Sequence, residues 1–89
     1  MERVFFGGSM NRLGMIAIII EDLEQAIKVN QCIHQYADLV VGRMGIPYRE
    51  RNVSMISLIV DGPNDKINAL TGQLGRIEHV QVKSMLTKV

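Results

Sequence analysis

The chain has 89 residues, of which 47% are hydrophobic and 4% aromatic, with ten basic and nine acidic side chains. This length fits one domain and leaves no room for a nucleotide-binding domain beside a substrate domain. The absence of Trp and a net charge of +1 argue against a base-stacking platform or a strongly basic face, so we expect no direct nucleic-acid binding by this domain alone.

The cysteine count and the longest apolar run indicate the cellular compartment. Cys32 is the single cysteine and cannot form an intrachain disulfide, which favours a reducing environment, so we predict a cytoplasmic location. The run from Met15 to Ile20 is too short to span a bilayer, which takes ~20 residues. The N-terminus lacks the long apolar stretch of a signal peptide. We therefore expect no membrane partner.

The first twelve residues, MERVFFGGSMNR, are predicted to form a flexible leader because Gly7, Gly8 and Ser9 make a joint. Residues 13–89 are then predicted to form the folded domain. The role of the leader is left open: Val4, Phe5 and Phe6 could fray, or pack onto the body of the domain or onto a partner.

The first strand is predicted at Leu13–Glu21, which is short and rich in isoleucine. Asp22 and Gln25 have the three-residue spacing of a capping box, with Asp in place of Ser or Thr. A helix should therefore run from Leu23 to about Asp38, with apolar residues recurring at three- and four-residue steps.

Turn residues divide the second half of the chain. Gly45 and Pro47 are expected to break regular strand pairing, and Gly75 is expected to adopt the left-handed conformation after a helix. The predicted elements are, in order, strand Leu39–Met44, a hairpin connection over residues 43–51, strand Val53–Asp61, a helix whose first turn holds Pro63 and which ends near Gly75, and strand Val80–Leu86.

The order βαββαβ predicts a ferredoxin-like α+β fold. Two right-handed strand–helix–strand units interlock into a four-stranded antiparallel sheet with both helices on one face. The first and third strands should occupy the centre of the sheet.

Both central strands carry apolar side chains on both of their faces. The helices can cover only one face, and soluble monomers rarely expose a contiguous apolar patch above ~300–600 Å². We therefore predict that the open face packs against another copy, giving a homo-oligomer (a dimer or a tetramer); the alternative is that the leader folds back over it. The predicted interface residues are Leu13, Met15, Ile19, Val53, Met55 and Ile59.

Cys32, His34 and His79 are the residues that invite a metal site. Residues two apart on a helix point in nearly opposite directions, so Cys32 and His34 cannot bind one ion together. We expect a small buried thiol, two solvated or capping imidazoles, and no metal or other cofactor. A site formed between subunits stays open.

Catalysis is not expected. The helix geometry that separates Cys32 from His34 also argues against a nucleophile–base pair, and no hydrolase, metalloprotease or phosphate-loop motif is present. The carboxylates of Glu21 and Asp22 are better explained as a helix cap, where negative charge meets the positive end of the helix dipole.

The hairpin over residues 43–51 is the best candidate for ligand or partner binding, because its arginines can hold an anion or acidic groups of a partner. A solvated tip with local Arg–Glu pairing is the alternative. The candidate binding residues are Arg43, Tyr48, Arg49 and Arg51 of the hairpin, with Glu21 and Asp22 at the neighbouring strand end.

Four segments resemble a family of short bacterial ACT-like proteins whose proposed role is regulation, including transcriptional regulation, of the iron-only hydrogenase system. The segments are GMIAIIIED, VVGRMGIPYRER, SLIVDGPNDKINALTGQLGRI and VQVKSMLTK. The family is similar in fold to the C-terminal domain of nickel-responsive repressors, so the resemblance also implies oligomers built on ACT-like sheets.

Two departures limit what the resemblance implies. Amino-acid-binding ACT domains usually have a glycine in the turn after the first strand, where this chain has Ile20, Glu21 and Asp22. The histidine and cysteine metal ligands of the nickel repressors are not matched, and twelve leader residues cannot form a helix-turn-helix. We expect a non-catalytic module that senses a small ligand or ion at a subunit interface; the alternative is a protein-docking adaptor without an effector.

Overall fold

The fold is built on two long central strands. These segments form strands because β-branched residues, which favour the extended backbone, are frequent in both. The structure is a computed structural model and describes residues 11–88. Its sheet has the order β2-β3-β1-β4, with every neighbouring pair antiparallel. The elements are β1 Asn11–Ile20, α1 Ala26–Gln35, β2 Val40–Tyr48, β3 Val53–Pro63, α2 Asn64–Gly75 and β4 Val80–Thr87.

The predicted α+β ferredoxin-like architecture is confirmed, with the first and third strands at the centre and both helices against one face. The core lies between that face and the helices. Alternate residues of the central strands point into it and are excluded from solvent. The buried hydrophobic residues are Ile16, Ile18, Ile20, Val29, Cys32, Ile33, Leu39, Ile56, Leu58, Val60, Ile67, Leu70 and Leu74.

The first strand begins two residues earlier than predicted, at Asn11, so Asn11 and Arg12 belong to the sheet. The rest of the predicted leader, residues 1–10, lies outside the described residues. Within residues 11–88, no helix is long and apolar enough to cross a membrane.

Asp22 caps the first helical segment, as predicted, but with different geometry. Its carboxylate accepts a hydrogen bond from the backbone N–H of Glu24 at 3.0 Å. The segment starts as a 3-10 turn at Leu23–Gln25, and the α-helix begins only at Ala26. It ends at Gln35, where a second 3-10 turn, Ala37–Leu39, leads into β2.

The prediction that Gly45 and Pro47 interrupt the second strand is wrong. β2 pairs with β3 as far as Tyr48, and Pro47 lies opposite Ser54. The physical reason is the position of β2 at the sheet edge, where a proline that lacks an N–H is tolerated. The only shift in this register lies between Val40 and Gly42.

The end of α2 also differs from the prediction. Gly75 is the last residue of the helix and has no positive φ. The backbone N–H groups of Arg76 and Ile77 close the helix by bonding carbonyls one turn back. The left-handed residue of this loop is His79, with a φ of 63°, directly before β4.

Candidate functional site: the open face of the sheet

The face of the sheet opposite the helices is apolar and exposed. The strand register places Met15 between Ile59 of β3 and Met85 of β4. Met44 of β2 lies in the next row, opposite Ser57. All four methionines of residues 11–88 therefore lie on this surface, with exposed fractions from 44% for Met55 to 63% for Met85. We call this surface the open face.

The six residues predicted for an interface all lie on the open face. Met15, Met55 and Ile59 are exposed, and Leu13, Ile19 and Val53 are half-buried. Their role as an interface stays a prediction.

The open face is wider than the prediction because it continues onto both edge strands. Met44 and Ile46 extend it onto β2, and Met85 extends it onto β4. The sequence interpretation missed Ile46 because it ended the second strand at Met44. Extending the strand alternation through Ile46 and Tyr48 would have placed Ile46 on this face.

One end of the open face contains a recess of about 410 Å³. Its floor is apolar and its rim is polar, which is the usual character of a small-molecule site. The lining residues are Ile19, Glu21, Tyr48, Arg51, Val53, Met55 and Gln81.

Local backbone geometry positions the residues on both sides of the recess rim. Arg51 belongs to the 3-10 turn Arg49–Arg51, and Asn52, in the left-handed region with a φ of 55°, returns the chain to β3. On the other side, the backbone N–H of Glu21 donates to the carbonyl of His79 at 2.7 Å. This bond ties the end of β1 to the start of β4.

The recess is electrically polarised. Tyr48 and Arg51 lie at its β2–β3 side, and Glu21 and Gln81 lie at its β1–β4 side. Within the described range, 11–88, neither the Arg51 guanidinium nor the Glu21 carboxylate forms a side-chain hydrogen bond or an ion pair. Both charges are available to a ligand or a partner.

Of the six predicted binding residues, Glu21, Tyr48 and Arg51 lie together in this recess. Arg43 lies on the other face of β2, where its guanidinium donates to the Asn30 side chain of α1. Arg43 and Tyr48 are an odd number of residues apart on one strand, so they face opposite sides of the sheet.

The other two predicted residues also lie outside the recess lining. Arg49 occupies the same 3-10 turn as Arg51 but does not contribute to the recess. Asp22 serves as the helix cap. Gln81 and the apolar floor were not among the predicted binding residues, because the strand pairing that brings them to the recess does not show in the local sequence pattern.

Cys32 is a core residue of α1 with an exposed fraction of 8%. Its thiol donates a long hydrogen bond to Gln73 Oε1 at 3.8 Å, and Gln73 Nε2 donates to the Tyr36 hydroxyl at 2.6 Å. Burial raises the pKa of the Cys32 thiol above its ordinary value. A raised pKa disfavours the thiolate, which is the nucleophilic form.

The histidines do not converge with the thiol. His34 is exposed, whereas Cys32, two residues earlier, is buried. Among residues 11–88, no three His, Cys, Asp or Glu side chains are grouped so that they could hold a metal ion. A second recess, about 540 Å³ and lined by Ile27, His34 and polar residues of α1, is a shallow surface of one helix.

Comparison with protein families identifies the family of this chain. Residues 12–84 match the family described as "TM1266-like: Iron-only hydrogenase system regulator, putative". The chain belongs to this family. No functionally curated protein matches the sequence.

Among the solved structures that resemble the chain are two that differ in their identity to it. The uncharacterized protein TM1266 from Thermotoga maritima is 38% identical, with a TM-score of 0.82, over 88% of this chain and 99% of that one. A structure of CPII bound to ADP, AMP and acetate, from Thiomonas intermedia K12, is 14% identical, with a TM-score of 0.50, over 88% of this chain and 90% of that one. The second similarity concerns the fold alone.

Proposed function

We propose that this chain is a non-catalytic regulatory module of the iron-only hydrogenase system that senses a small ligand or ion at an interface between copies. The observation that carries this proposal is the polarised recess at one end of the exposed apolar open face. Family membership supports the regulatory role. The buried, protonated thiol of Cys32 supports a role without covalent catalysis.

The recess favours a small molecule with an apolar part and an anionic group. Ile19, Val53 and Met55 offer an apolar floor. The Arg51 guanidinium can donate two parallel hydrogen bonds to a carboxylate or a phosphate, and the Tyr48 hydroxyl can donate a third. A volume of about 410 Å³ lies in the range of small-ligand sites.

The test is a thermal-shift screen of the metal-stripped protein against divalent metals, amino acids and nucleotides. A ligand that binds only the folded state adds ~2.7 kcal/mol at one hundred times its dissociation constant. For a domain of this size, that free energy raises the melting temperature by more than about 10 °C. We expect a dose-dependent shift from an anionic compound.

The 3-10 turn Arg49–Arg51 provides a matched pair of variants. Arg51→Ala removes the recess arginine, and Arg49→Ala removes a neighbouring arginine outside the recess. We expect Arg51→Ala to abolish the ligand-induced shift and Arg49→Ala to retain it. Equal loss in both variants would show that the ligand does not bind in the recess.

The extent of the open face favours one alternative function, a docking adaptor with no effector. The apolar surface reaches Met44 and Met85, well beyond the recess. An adaptor would show no thermal shift with any compound and would bind a defined hydrogenase-system protein, with binding lost in Met55→Asp and kept in Arg51→Ala.

A further inference from the structure

We propose that two copies pack through their open faces about a two-fold axis that runs parallel to the strands, so that the two recesses form one shared chamber. In this arrangement Arg51 of each copy meets Glu21 of the partner subunit. The inference rests on the proposed function, because it specifies how the ligand site is completed.

The size of the open face is near the lower limit for a specific dimer. Four strands ~4.8 Å apart, each about eight residues long at ~3.3 Å per residue, give the open face an area of about 500 Å² per copy. Two copies would bury roughly 1,000 Å², near the lower limit for a specific interface. An interface of this size allows a dimer at micromolar concentration whose equilibrium with the monomer a bound ligand shifts.

The polarity of the recess selects the direction of the axis. The cationic side of the recess lies toward β2 and β3, and the anionic side lies toward β1 and β4. A two-fold axis parallel to the strands, passing between β3 and β1, exchanges these two sides. The cationic side of one copy then faces the anionic side of the other.

An axis across the strands is disfavoured by Lys83. This residue is the exposed charged side chain in the middle of the open face, in the row that contains Ala17 and Ser57. An axis across the centre of the strands would place Lys83 against its own copy, and opposed like charges cost several kcal/mol at an interface. The parallel axis instead places Lys83 over Met44, where its aliphatic stem can pack.

The chamber gives the ligand a direct effect on assembly. A ligand with an anionic group for Arg51 and a cationic group for Glu21 of the partner subunit would contact residues of both copies, because the partner subunit closes the recess. Such a ligand binds the dimer better than the monomer and therefore shifts the population toward the dimer.

The test is a charge-swap mixing experiment. Arg51→Glu opposes two glutamates across the interface, and Glu21→Arg opposes two arginines. We expect each variant alone to dimerise at least about tenfold more weakly than wild type, because like charges are opposed. An equimolar mixture should form a heterodimer of nearly wild-type affinity, since both cross-subunit pairs are restored. Native mass spectrometry distinguishes the three dimers by mass.

A matched control removes the effect of overall charge. Arg76→Glu and Glu78→Arg produce the same charge changes in the loop after α2, which is outside the open face. We expect both control variants to remain homodimers and their mixture to show no preference for the heterodimer.

Two results would overturn the inference, and they are distinguishable. If the swap variants dimerise like wild type, with no heterodimer preference, the axis and the Arg51–Glu21 contact are wrong, while self-association stands. If wild type itself is monomeric over the concentration range tested, with and without the metals, amino acids and nucleotides of the screen, the inference and the subunit interface of the proposed function both fail. A ligand-induced thermal shift lost in Arg51→Ala would then place the ligand site within one monomer.

Discussion

The two faces of the sheet are made from alternate residues of the same strands, yet they differ in composition and in completeness. The face toward the helices is filled by Ile16, Ile18 and Leu58, all excluded from solvent. The open face also has β-branched residues, but it carries in addition all four methionines of residues 11–88 and the small residues Ala17 and Ser57. Branched residues with few rotamers specify one packing, whereas methionine adapts to different partners. On our proposal, the chain covers one face by itself and a second copy covers the other.

The largest expected effect is on the covered face. Ile18→Ala should lower the free energy of unfolding by about 2–5 kcal/mol, because it leaves a cavity in the core. Ile46→Ala on the open face should cost less than about 1 kcal/mol at low protein concentration, because Ile46 is half-exposed. Urea denaturation of both variants measures the difference, and equal losses would contradict the distinction between the faces.

A smaller effect is expected where two strands approach closely. A Cβ added at Gly14 would lie 2.8 Å from the carbonyl oxygen of Met85 and would clash with the Leu86 side chain. Gly14→Ala should therefore cost about 1–3 kcal/mol. Gly72→Ala is the control, since nothing lies within 4 Å of its added Cβ and alanine favours the helix by up to about 1 kcal/mol. The melting temperature should fall in Gly14→Ala and rise in Gly72→Ala.

The burial of Cys32 in the core predicts that the free energy of unfolding depends on pH. Burial raises the pKa of the folded thiol above the ordinary value of 9.0, so the unfolded chain loses this proton first as the pH rises. The stabilisation that comes from this pKa difference is fully present below about pH 8. It is lost as the pH rises through the pKa of the folded thiol. The unfolding free energy of wild type should therefore fall more steeply above pH 9.0 than that of Cys32→Ala. Parallel curves would show that the thiol is not desolvated.

The smallest effect is expected on the outer surface of the helices, which belongs to neither face. Lys66 and Asp38 form an exposed ion pair at 4.0 Å. Lys66→Ala should change the unfolding free energy by no more than about 0.5 kcal/mol, because exposed pairs are screened and flexible. A loss above about 1 kcal/mol in urea denaturation would place this pair among the determinants of the fold.

The sequence predicted the architecture because alternation and turn residues are local signals. The isoleucines of β1 and the cap at Asp22 are visible without the structure. Edge position is not a local signal, so the continuation of β2 through Pro47 was missed. The same error grouped Arg43 with Tyr48, which the extended strand places on opposite faces.

The recess could be predicted only in part. Glu21 and Arg51 were identified as candidates from their charge, but the pairing of β1 with β4 is what brings Gln81 to the rim. Strand pairing across 60 residues of chain depends on tertiary packing, which periodicity does not encode.

The molar mass in solution tests most directly the central claim that a second copy completes the open face. Light scattering at micromolar concentration should give wild type twice the 10.0 kDa mass of the chain. Met55→Asp should give the single-chain mass with an unchanged circular dichroism spectrum. Ile27→Asp, a matched change at a residue of α1 that is 68% exposed, should remain dimeric. A single-chain mass for wild type under the same conditions would contradict the account.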